Sequence, residues 1–116
     1  MNAYQIILEH LLRIQTEGGS GNFVIFETVD GHYIQFAAEN GGHRLYGEAS
    51  SNDITETQRL KLVNLGWEKG MYSYFREWNT VTDSGRREVV DFVMTTLKTV
   101  YGFRTTDTLS VNLNLE

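Results

Sequence analysis

Residues 23–49 alternate between apolar and polar positions in a way that writes three strands. The runs FVIFETV and HYIQFAA are separated by only Asp30 and Gly31, and HRLYGEA follows Asn40-Gly41-Gly42. Asp-Gly favours a two-residue hairpin turn with positive φ at both positions. Side chains alternate across a strand, so Ile34, Phe36 and Ala38 share one face while Tyr33, Gln35 and Ala37 share the other. In the third run Leu45, Gly47 and Ala49 oppose Arg44, Tyr46 and Glu48. Gly47 leaves room above the sheet for something large, most simply a helix residue.

Helical spacing flanks this antiparallel meander. Tyr4, Ile7, Leu8, Leu11 and Leu12 form one stripe over a predicted helix from Ala3 to Glu17, with Asn2 and Gln5 as a capping box and Gly18-Gly19 as the stop. A second helix runs from Glu56 to Leu65, capped by Thr55 with Gln58 and ended by Gly66, with Trp67 packing back near Leu62. Tyr72 to Trp78 reads as a fourth strand. Thr82 or Asp83 caps a last helix to about Tyr101, whose wide stripe includes Val89, Val93 and Leu97. In the tail, residues 103–116, Leu109, Val111, Leu113 and Leu115 alternate with polar residues as an added amphipathic strand would. The order α-β-β-β-α-β-α, with that extra strand, predicts one α+β domain over residues 1–116. Strands grouped together with helices packed on one face make such a domain. No linker, repeat or low-complexity tract divides it.

The second helix carries two apolar sides. At about 100° per residue, Leu60, Val63 and Trp67 cluster on one side and Leu62 and Leu65 on the other. One surface packs on the sheet; the other asks for a cover, either a second copy in a two-fold dimer or another segment of this chain. Leu62 and Leu65 are the candidate dimer contacts.

Composition narrows the chemistry. The chain has 116 residues, 41% apolar and 22% charged, with no Cys. Disulfides, zinc–thiolate sites and Cys nucleophiles are excluded, and a reducing compartment fits. No long apolar run suggests a membrane span or a signal peptide. A net charge of −5 repels phosphate backbones, so nucleic acid is a poor partner and a basic or mixed-charge protein segment a better one. His10, His32 and His43 lack the spacing of three converging metal ligands, even with Glu27 or Glu39 beside them. GGSGN, residues 18–22, lacks the Lys-Ser/Thr of a phosphate loop and leaves a helix instead of entering one; it is a flexible connector. Ser50, Ser51 and Ser84 have no nucleophile-elbow context. We therefore expect no enzyme, cofactor or metal.

The remaining motifs carry a resemblance. Tyr46, Glu48, Ala49, Ser51 and Asn52 (a Y.EA.SN pattern), then Leu65-Gly66-Trp67, then Phe75-Arg76-Glu77-Trp78 resemble, in this order, a group of bacterial domains similar to type III secretion chaperones. The likeness spans roughly residues 20 to 100. It implies a small, acidic, cytoplasmic homodimer whose α+β fold has one curved antiparallel sheet with helices packed on it, and which holds an extended segment of a client protein. The pattern ends at the last helix, so the alternating tail is an addition that pairs either with the chain's own sheet or with a partner subunit. The first functional expectation is a non-enzymatic protein-binding module with Tyr46, Tyr74, Arg76 and Trp78 as contacts. Arg76 shares a strand face with Trp78; it either anchors a partner or staples the sheet by stacking on an aromatic ring or pairing with Glu48. The alternative is a small-molecule-binding or regulatory domain with a pocket between the sheet and the long helix.

Overall fold

The computed structural model describes all 116 residues. In chain order the elements are α1 (Ala3–Thr16), β1 (Asn22–Glu27), β2 (Tyr33–Ala38), β3 (Arg44–Ala49), α2 (Glu56–Leu65), β4 (Glu68–Lys69), β5 (Tyr74–Asn79), α3 (Asp83–Thr99) and β6 (Ser110–Asn114). They form an α+β fold in which every strand pair is antiparallel and the sheet order is β4-β5-β3-β2-β1-β6. The C-terminal strand therefore joins the chain's own sheet, beside β1.

Local chemistry sets the helix ends. Both capping boxes form, Asn2 with Gln5 and Thr55 with Gln58. Thr82 caps α3 through the Gly85 N–H. Gly66 ends α2 in left-handed geometry at φ 119°, and the Trp67 N–H then donates to the Leu62 carbonyl. That places the Trp67 side chain on the same side as Leu62, not with Leu60 and Val63.

The Asp30-Gly31 turn differs from the expected one. Only Gly31 is left-handed (φ 87°); Asp30 is not. The Gly31 N–H donates to Thr28 O and the Thr28 N–H to His32 O, so the loop has three residues, Val29 to Gly31. A turn followed by one left-handed glycine spares Asp30 a strained backbone and still closes the hairpin.

The core fills the space between one sheet face and the helices. Val24, Phe26, Ile34, Phe36, Leu45 and Ala49 meet Ile7, Leu11 and Ile14 of α1 and Val89, Val93 and Leu97 of α3, all 0% exposed. At roughly 1.5–3 kcal/mol per large apolar side chain, this layer is the main stabilising term. Gly47 lies in the same layer. A Cβ there would stand 2.9 Å from Phe36 Cε1 and 3.1 Å from Trp78 Cζ3. The bulk above this glycine thus comes from aromatic rings of the adjacent strands, not from a helix.

Two buried polar groups stitch distant segments together. Asn22, 1% exposed, donates from Nδ2 to Ile14 O (2.9 Å) and Glu17 O (2.7 Å), and its Oδ1 accepts from the N–H groups of Gly19 (3.1 Å) and Glu116 (2.9 Å). The GGSGN glycines serve this junction: a Cβ on Gly19 or Gly21 would collide with Glu116. They are placed for close approach rather than as a loose connector. At the opposite corner the buried Arg86 donates to Gln15 Oε1 and Val81 O, while Gln15 donates to Thr80 O, joining α1 to the start of α3.

Candidate functional site

All three helices cover one side of the sheet. The other side is bare, and strand register decides what it presents. Phe23 of β1 lies beside Ala37 of β2, Ala37 beside Tyr46 of β3, and Tyr46 beside Glu77 of β5. The next row reads Ile25, Gln35, Glu48, Phe75 and Glu68. Phe23, Ile25, Ala37, Tyr46 and Phe75 are all half-buried, although no helix lies over them. With neighbouring strands about 4.8 Å apart, the four-strand row from β1 to β5 spans about 14 Å.

Small residues hollow this face. A shallow, open depression of about 600 Å³ is lined by Phe23, Gln35, Ala37, Arg44, Tyr46 and Glu77 and rimmed by the loops at residues 20–22 and 39–43. A second hollow of about 340 Å³ adjoins it through Arg44 and Glu77 and reaches Trp78 and Asn79. It opens at the outer edge of β5, where β4 pairs only with Tyr74 and Phe75, so that residues 76–79 are paired with β3 on one side and with no strand on the other. A free edge of this kind offers backbone N–H and C=O groups to an incoming chain.

The bare face is acidic. Glu27, Glu48, Glu68 and Glu77 point from it, and Arg44 is the one cation among them. Arg44 Nη1 lies 3.7 Å from Glu77 Oε1, and both side chains are largely exposed, so their pairing is weak. Glu48 Oε2 accepts a hydrogen bond from Ser73 Oγ at 3.2 Å. Burial pushes the Tyr46 phenol above its usual range, and the neighbouring Glu48 and Glu77 carboxylates push it further. No group of three or more His, Asp or Glu side chains is arranged to hold a metal ion.

A protein-family model described as "T3SS (YopN, CesT) and YbjN peptide-binding chaperone 3" matches residues 8–114. The chain belongs to this family, TY-Chap3. Comparisons with curated proteins and with solved structures returned no significant match. TY-Chap3 is a chaperone-type, peptide-binding family, in keeping with the resemblance carried by the Y.EA.SN, LGW and FREW motifs. The matched span is wider than those motifs: it takes in most of α1 and all of β6, so the tail is part of the family pattern and not an addition to it. No helix of this TY-Chap3 chain is long and apolar enough to cross a membrane.

Of the four residues expected to touch a partner, only Tyr46 lies on the bare face. Tyr74 is 3% exposed within the core, facing the helices. Arg76 is on that same covered face. It donates to Gly66 O and stacks 4.8 Å from the Phe92 ring centroid and 5.5 Å from that of Trp78, which makes it the staple. Glu48 points the other way and cannot pair with it. Trp78 packs against Phe36, Trp67 and Phe92, with only its margin reaching the second hollow.

The dimer candidates shift as well. Leu62 is 0% exposed and Leu65 packs against the core, so neither forms an outward face. The outward apolar residues of α2 are Leu60 (56% exposed) and Val63 (49%). The expected pocket between sheet and α3 is filled with side chains; the two principal hollows lie on the bare face and at its edge. Sequence reasoning passed over Phe23, Ala37, Phe75 and Glu77 as site residues. Alternation places each on a face, but only the register across four strands brings them together.

Proposed function

We propose that this chain is a non-enzymatic capture module that holds an extended segment of a partner protein on the bare face of its sheet. One observation carries the reading: half-buried apolar side chains from β1, β2 and β3 (Phe23, Ala37 and Tyr46) line a 600 Å³ depression that no helix covers. A bound strand would lie across Phe23, Ala37 and Tyr46 and reach the free edge of β5, where backbone hydrogen bonds supply affinity and side-chain hollows supply selectivity. Membership of a peptide-binding chaperone family supports this assignment. The absence of Cys fits a reducing, cytoplasmic setting. We further propose that two copies associate through the outward residues Leu60 and Val63 of α2, whose exposed apolar surface a two-fold partner would cover.

The test is peptide display against the purified chain, followed by Ala37→Arg. A long side chain at residue 37 fills the depression from a solvent-facing position. We expect the selected peptides to lose at least tenfold in affinity while the melting temperature holds. Full binding by the variant, or amide shifts confined to the helical side, would refute the placement.

A further inference from the structure

Tyr46, Glu77, Glu48 and Phe75 form a two-by-two block across β3 and β5. Tyr46 is paired with Glu77 and Glu48 with Phe75, so the aromatic rings take one diagonal and the carboxylates the other. The ring centroids are 6.2 Å apart at an interplanar angle of 15°. Two near-parallel faces therefore stand beside two carboxylates on an open surface. An ammonium or guanidinium within about 6 Å of such rings is attracted by their quadrupoles, and a carboxylate alongside adds a charge-assisted hydrogen bond.

The covered side of the same sheet shows this chemistry already satisfied. There Arg76 lies over Trp78 and Phe92, supplied from within the chain. The bare side has the aromatic pair and the acids but no cation over the rings. Glu27, Glu48 and Glu68 have no ion-pair partner within 4 Å, and Arg44 makes only its exposed contact with Glu77.

We infer that this block is a subsite for a Lys or Arg side chain of the captured segment, so that the preferred partner is an extended peptide alternating basic with aliphatic residues. The inference rests on the capture reading and adds the chemistry of the occupant. The apolar stem of Lys or Arg would lie along Ala37 and Ile25 while its head reaches the carboxylates. An acidic or wholly apolar segment would cover Glu48 and Glu77 without pairing them, which selects against it. Arg44 acts as an internal competitor for Glu77.

The experiment uses fluorescein-labelled dodecapeptides in which Val and Leu alternate with Lys, and matched sets with Gln or Glu in place of Lys, read by fluorescence polarisation. We expect the Lys peptide to bind at least tenfold more tightly than the Gln peptide at low salt, with the gap narrowing at about 0.5 M NaCl as screening sets in. The double variant Glu48→Gln/Glu77→Gln should bring the gap below threefold with an unchanged melting temperature, and Arg44→Gln should widen it. Equal binding of all three peptides, or a Lys preference that survives the double variant, overturns the cation subsite and leaves capture intact. Failure of every peptide to bind removes both.

Discussion

Replacing Asn22 with Ala tests how far one buried amide holds the sheet to its helices. Asn22 satisfies two terminal carbonyls of α1 and two N–H groups, one of them 94 residues away in sequence. Each bond is worth about 0.5–1.5 kcal/mol net, and buried groups left without partners cost more. We expect Asn22→Ala to destabilise by about 2–4 kcal/mol on this basis, part of the loss being recovered where water reaches the Glu116 end. For a domain of this size that lowers the melting temperature by about 8–16 °C. Urea denaturation followed by tryptophan fluorescence reads it directly, since Trp67 is buried and Trp78 packs against it. Asn22→Asp sharpens the test. It keeps the acceptor but turns a second oxygen toward Ile14 O and Glu17 O, which raises the folded-state pKa of the new carboxyl above its unfolded value of about 3.9. A group raised on folding contributes its full stability below the unfolded pKa and loses it as pH rises through the folded one. The Asp variant should therefore be much weaker than the parent at neutral pH and approach it near pH 4. A loss under about 0.5 kcal/mol for Asn22→Ala, or an Asp variant whose deficit ignores pH, would refute the role assigned to this residue.

Two further outcomes follow from the structure. Burial pushes the Tyr101 hydroxyl, which donates to Ser50 O at 2.7 Å, up to about 12. Its contribution of about 2–3 kcal/mol is complete below the unfolded value near 10 and lost as pH rises toward 12; alkaline unfolding should therefore move to higher pH in Tyr101→Phe, and an unmoved midpoint would contradict this. If α2 forms the two-fold contact, Leu60→Glu/Val63→Glu should elute as a monomer by light scattering with its melting temperature preserved at low protein concentration; an unchanged mass would place any association elsewhere.

What the sequence made legible was local. Both capping boxes, the Gly66 stop and the meander depend on residues a few positions apart, and they stand as read. What it hid was decided by distant partners. The inward side of α2 is fixed by Gln58 and Lys61 donating to Val100 O and Thr99 O near the end of α3, so Leu62 turns in and Leu60 turns out. β4 has two residues and exists only because β5 pairs with it. Alternation correctly put Arg76 and Trp78 on one face, yet nothing along β5 says which face the helices take. The same gap concealed the site: Tyr46 was visible as a candidate, while Phe75 and Glu77 became its neighbours only through the β3–β5 register.

The pairing of β1 with β6 also has a temporal side. Until residues 110–114 have been synthesised, β1 is a rim of the sheet, and the amides later taken by β6 remain unclaimed. A nascent chain thus passes through a stage in which β1 is itself a template for stray strands, and the emergence of β6 closes that window.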